Sequence, residues 1–166
     1  MPKGFLKKLA AFVLACTAVV MSACGGGKTE PETKPLDPDA LAQNIGALKD
    51  SQGAALFDSP SQPDSTELSD IYNIDVSLFE EYLIIVDKKY NFCMMMVPAK
   101  GKSNDVKNMM STAMTQLAQQ LELYEPEQCE RVRSHLETMR GDYLIYAATG
   151  DNDVLVKEIE KALESK

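Results

Sequence analysis

The chain has 166 residues, 25% of them charged and 45% apolar, with a formal charge of −8. That acidity argues against a nucleic-acid partner, because such binders need a basic face to replace counterions. It also argues against electrostatic adhesion to anionic lipid headgroups.

The N-terminus carries Lys3, Lys7 and Lys8, then an apolar run from Leu9 to about Val20, then Met21-Ser22-Ala23-Cys24. A positive start, an apolar stretch and small residues before a cut make a secretory signal. The run is shorter than the roughly 18 to 20 residues a spanning helix needs. The arrangement resembles the lipobox of a bacterial lipoprotein signal peptide. That resemblance implies diacylglyceryl transfer to the Cys24 thiol, a palmitate-type anchor, with cleavage before Cys24 so that it becomes the mature N-terminus. Cys16, after Val13-Leu14-Ala15, is the alternative lipidation site, but it leaves a shorter apolar run and more apolar residues after the cut. Two acyl chains anchor stably where one is marginal. The expected location is therefore the extracytoplasmic face of a cell membrane. Residues 1–23 hold three lysines and no acid, so the remaining 143 residues have a formal charge of −11. That length suffices for one domain with its own core.

Residues 24–35 read as a flexible tether, since Gly25-Gly26-Gly27, charge and proline prevent a packed core. By random-coil scaling it spans roughly 20 Å. Residues 36–166 then form a single domain. Asp37-Pro38 caps a helix with Leu41, Ile45 and Leu48 on one stripe, predicted to run to about Phe57. After a proline-rich loop at 59–63, Asp64 and Glu67 make a capping box for a short helix through Leu68, Ile71 and Tyr72.

Two apolar runs, 79–86 and 90–97, flank the polar turn Asp87-Lys88-Lys89 and read as a hairpin closed by Pro98. Neither run alternates cleanly with polar residues, so both faces should be largely covered. Ser103 or Asn104 is expected to cap the longest helix, whose stripe contains Val106, Met109, Met110, Ala113, Met114, Leu117 and Leu121. Tyr124-Glu125-Pro126 breaks it, and Pro126 opens a short helix with Cys129 and Val132. A second hairpin pairs 136–139 with 143–148, and a last helix carries Leu155, Ile159 and Leu163. The predicted fold is α+β: a small antiparallel sheet of about four strands from two hairpins, with amphipathic helices packed on it.

Few residues point to chemistry. His135 is the only histidine and the natural general base, beside Ser134, Arg131 and Arg133. Glu80-Glu81 is a weak carboxylate pair, because consecutive strand residues face opposite ways. Cys93-Met94-Met95-Met96 with Met109, Met110 and Met114 offers either soft sulfur ligands for Cu(I) or filling for a deformable core. Cys93 and Cys129 leave a disulfide and two free thiols both open. There is no glycine-rich phosphate loop, zinc spacing or serine elbow, and no cofactor or resident metal is expected.

From Leu36 onward the chain resembles a lipoprotein domain family of unknown function found in Gram-positive bacteria. The matching stretches are Leu36-Asp37-Pro38, Tyr72-Asn73-Ile74-Asp75, Tyr124-Glu125-Pro126-Glu127 and Gly141-Asp142-Tyr143. Members often carry an acid entering the second strand, and Phe92-Cys93-Met94-Met95-Met96 has none. Tyr72, Tyr124 and Tyr143 lie in these stretches as candidate binding residues, which either pin loops or line a groove. The expected role is a lipid-anchored, non-enzymatic module that meets a protein partner or small ligand in the cell envelope. The alternatives are an envelope enzyme using His135, or Cu(I) handling.

Overall fold

Two hairpins lie side by side and make one four-stranded antiparallel sheet. Its strands are Phe79–Val86 (β1), Phe92–Pro98 (β2), Leu136–Arg140 (β3) and Tyr143–Ala148 (β4), in the order β1-β2-β4-β3. This is a computed structural model and it describes residues 37–164; the signal, Cys24 and the tether lie outside them. The central strands are the most apolar, and β4 is buried along its whole length. The polar residues fall on the edges, Glu80 and Glu81 on β1 and Glu137 on β3, where water reaches them.

The sheet is covered on both faces, as the missing polar alternation requires. On the first face Ile84, Met94, Met96, Leu144 and Tyr146 pack against helices Ser103–Leu121 (α3) and Pro126–Arg133 (α4). Leu68, from the helix Ser65–Tyr72 (α2), joins them. On the second face Leu83, Ile85, Cys93, Met95 and Ile145 pack against Pro38–Gly46 (α1) and Asn152–Glu164 (α5). Alternation along β2 therefore divides its sulfurs between two separate cores. No helix among the described residues is long and apolar enough to cross a membrane.

Two sequence expectations need correction. First, α1 ends at Gly46 instead of near Phe57. Asp50 Oδ1 accepts from the backbone N–H groups of Gln52 (2.9 Å) and Ala54 (2.8 Å), and this side-chain-held turn competes with helix. The chain reverses there, and Leu56 and Phe57 return to the second core. Gly46 lets Pro60 approach closely, since a β-carbon there would lie 3.0 Å from the proline ring.

Second, neither Ser103 nor Asn104 caps α3. Lys102 holds the cap position with no side-chain capping bond, and its Nζ pairs with Asp105 Oδ2 at 2.9 Å. A turn through Gly101, with φ +78°, delivers the chain directly into the helix. The short helix α2 runs through Leu68, Ile71 and Tyr72 as expected, with Leu68 buried and Ile71 58% exposed. The predicted capping box is present: Asp64 accepts from Thr66 and Glu67 N–H groups, and Glu67 accepts from Asp64 N–H.

Cys93 and Cys129 are free, buried thiols on opposite faces of the sheet, which decides the question the sequence left open. Desolvation pushes the Cys93 thiol up to about 12. The Cys129 thiol donates to the Ala118 carbonyl at 3.3 Å.

Candidate functional site

The helix α4 ends at Arg133, and three bonds hold the passage from it into β3. Ser134 N–H and Ser134 Oγ both donate to the Glu130 carbonyl, at 2.9 and 2.7 Å. His135 Nδ1 lies 2.8 Å from the Val132 carbonyl oxygen. A carbonyl oxygen only accepts, so Nδ1 carries the proton and Nε2 of the neutral ring keeps its lone pair. The imidazole sits 5.7 Å from the Tyr146 ring at a 32° tilt.

Two residues beyond His135, Glu137 lies directly opposite Tyr146 in the β3–β4 ladder. Burial above all, then the charge of the Glu137 carboxylate and hydrogen bonding to it, hold the Tyr146 phenol above its ordinary range. Arg133 forks to Glu122 at 2.8 Å and to Glu130 at 3.1 Å, and these bonds raise its affinity for its proton further. Lys107 Nζ is 3.9 Å from Glu137.

Facing them, α3 presents Ser111, Thr115 and Gln119, four residues apart and hence in one row on the helix. Between this row and the β3 side lies an open cleft of about 390 Å³. Its floor is Met114, Ala118, Val132 and Tyr146, all buried; the rims are the exposed or half-exposed polar groups. That volume falls within the usual range for small-ligand sites. The cleft thus combines an apolar floor with one imidazole, one carboxylate, one guanidinium, two hydroxyls and one amide.

The three candidate tyrosines do not meet. Tyr72 packs against the first core and flanks a much smaller hollow with Asn73 and Gln116. Tyr143 belongs to the second core, on the other face of the sheet, and its phenol is held above its ordinary range by burial and by a hydrogen bond to Glu81. It lines a separate depression of about 460 Å³ with Arg140 and Glu160. Tyr124 stands 82% exposed in the α3–α4 turn beside Leu123. They form no common groove among the described residues.

The Glu80-Glu81 pair is split as strand geometry requires: Glu80 accepts from Lys100 N–H at 3.2 Å, while Glu81 meets Tyr143. The sulfurs of Met94, Met95, Met96, Met110 and Met114 face the two cores. Among the described residues no group of three or more His, Cys, Asp or Glu is placed to hold a metal ion. Of the cleft, His135 with its neighbour Arg133, and Met114 of the sulfur cluster, stood out in the sequence. The available signal for the rest was the period-four polar row on α3 and the lone carboxylate in an edge strand.

A family model for a domain of unknown function (DUF4358) matches residues 55–149, more than half of the chain and all of the cleft. No curated protein and no solved structure matches. The chain belongs to this DUF4358 family.

Proposed function

We propose that this protein is a lipid-anchored, extracytoplasmic binding module that takes its ligand in the cleft between α3 and β3. The observation that carries the reading is the convergence of His135, Glu137 and Tyr146 with the α3 polar row over a buried apolar floor. Convergent polar groups around an apolar concavity are the ordinary form of a ligand site. The anchoring part rests on the basic start, the apolar run and Cys24. Expressed in a bacterium with the lipoprotein pathway, the wild type should incorporate radiolabelled palmitate and fractionate with membranes, and Cys24→Ser should do neither. Labelling of the Cys24→Ser chain would overturn the anchor.

Binding without chemistry is favoured because Cys129 lies sealed in the core and the Thr115 hydroxyl is spent on the Ser111 carbonyl at 2.8 Å. A second reading, hydrolysis with His135 Nε2 as base, has one observation in its favour: His135 and Glu137 share the cleft. In-cell crosslinking from a photoreactive residue at position 119 tests the first reading. A captured partner or ligand that His135→Ala still retains supports binding. Turnover of a captured compound, abolished by His135→Ala, would replace it with the catalytic reading.

A further inference from the structure

We propose that the ligand of the α3–β3 cleft is a neutral saccharide, an inference that rests on the binding reading above and names its chemical class.

An anionic ligand finds no uncommitted cation. Arg133 is held by Glu122 and Glu130, and Lys107 lies beside Glu137. The Glu137 carboxylate on the rim would repel a second negative charge, and the domain around it is acidic. A simple cation finds a single carboxylate, Glu137, with the Lys107 ammonium already 3.9 Å from it. A wholly apolar ligand would strip water from Gln119, Glu137 and His135 Nε2 and return no hydrogen bond, at a cost for each. What remains is an uncharged ligand that both donates and accepts along its edges.

The rims fit such a ligand. His135 Nε2 and Glu137 accept, the Gln119 amide donates and accepts, and the Ser111 hydroxyl turns to do either. The row from Ser111 to Gln119 extends about 12 Å along α3, from the helical rise per residue. The floor of Met114, Ala118 and Val132 is buried and apolar. A sugar ring has the same division of polarity, with C–H groups on its faces and hydroxyls around its rim. Seated flat, it covers the floor and presents hydroxyls to both walls. An extended peptide is the poorer fit, since its alternate side chains need separate pockets, and the cleft is one shallow space.

Saturation-transfer NMR on the purified full chain tests this with cellobiose, maltose and chitobiose as probes and the tripeptide Ala-Ser-Ala as the contrast. The expected result is saturation of ring C–H protons by at least one saccharide. Gln119→Ala and Glu137→Ala should each weaken that binding about tenfold, the loss of one or two polar contacts. The thermal unfolding midpoint of each variant checks that it is folded. Saccharide signals untouched by both folded variants would overturn the proposal. Silence from the saccharides, with a tripeptide signal that both variants remove, would overturn the saccharide and leave the binding cleft standing. Silence from every probe at millimolar concentration would overturn the saccharide and count against the cleft.

Discussion

Tyr146 and Glu137 stand directly opposite each other in the β3–β4 ladder, and the carboxylate helps hold the phenol above its ordinary range. The tyrosine ring is 1% exposed and belongs to the first core, while the glutamate side chain is 46% exposed. One pair thus joins the interior to the rim of the cleft. Tyr146→Phe keeps the ring and leaves Glu137 to water, so it should cost about 1 kcal/mol or less. Tyr146→Ala empties a packed site and should cost about 3–5 kcal/mol, as for other large aromatic truncations. Urea denaturation measures both; equal losses would mean that the hydroxyl, and not the ring, carries the stability.

Asp87 is 6% exposed and its carboxylate accepts four hydrogen bonds. They come from the backbone N–H groups of Asp58, Lys89 and Asn91 and from Asn91 Nδ2, while Arg131 donates in turn to Asn91 Oδ1. The hairpin turn, the loop after α1 and α4 are joined through this one group. Asp87→Ala orphans several donors at once and should cost about 3 kcal/mol or more, at ~1–3 kcal/mol for each buried donor left unpaired. Lys89 pairs with Asp58 at 3.2 Å with both side chains about 60% exposed, so Lys89→Ala should cost less than about 1 kcal/mol. Denaturation midpoints that rank these two the other way would contradict this account.

Cys93 and Cys129 lie in different cores and cannot bridge without unfolding. A chain with Cys16→Ser and Cys24→Ser should react with an aromatic disulfide reagent only slowly when native, and the two remaining thiols should appear once denaturant is added. Its unfolding midpoint should be the same with and without reductant. A shift on reduction would show a disulfide.

Stability should fall at alkaline pH. The Cys93 thiol is raised from 9.0 to about 12, and the Tyr143 and Tyr146 phenols are raised from 10.0, each chiefly by desolvation. Below about pH 9 these groups are neutral in both states. Above it the unfolded chain releases protons that the folded chain keeps, so stability declines as pH rises through the window from 9 to 12. Cys93→Ala lowers the baseline by leaving a small cavity and makes the decline shallower by its share. Unfolding curves at intervals from pH 8 to 11 in both proteins measure that slope; identical slopes would remove Cys93 from the account.

Asp64→Ala removes the acceptor for Thr66 and Glu67 N–H and should cost about 1 kcal/mol, the usual value of an N-cap. Hydrogen exchange at the α2 amides locates the loss. Protection that falls uniformly across the sheet instead would show that α2 unfolds only with the whole domain.

The element types and their order were legible in the amino-acid sequence, because periodicity reports directly on how much of each element is buried. The doubled apolar runs of β1 and β2 required cover on both faces, and two helical layers supply it. The Asp64 capping box and the Pro126 helix start were legible for a related reason: each is satisfied within a few residues. The end of α1 was not, because Leu48 continues the helical stripe and nothing in that stripe records the side-chain-held turn at Asp50.

The cleft depended on tertiary structure. Ser111, Thr115 and Gln119 read as a solvated helix face until the edge strand is placed beside them. His135 and Glu137 meet that row only because β4 pairs with both β2 and β3, which sets the second hairpin beside the first. Strand order is fixed by pairing between residues far apart in the chain, and no local pattern encodes it. Local periodicity therefore determined which residues go inside, and the order of the strands decided which of the polar ones come together.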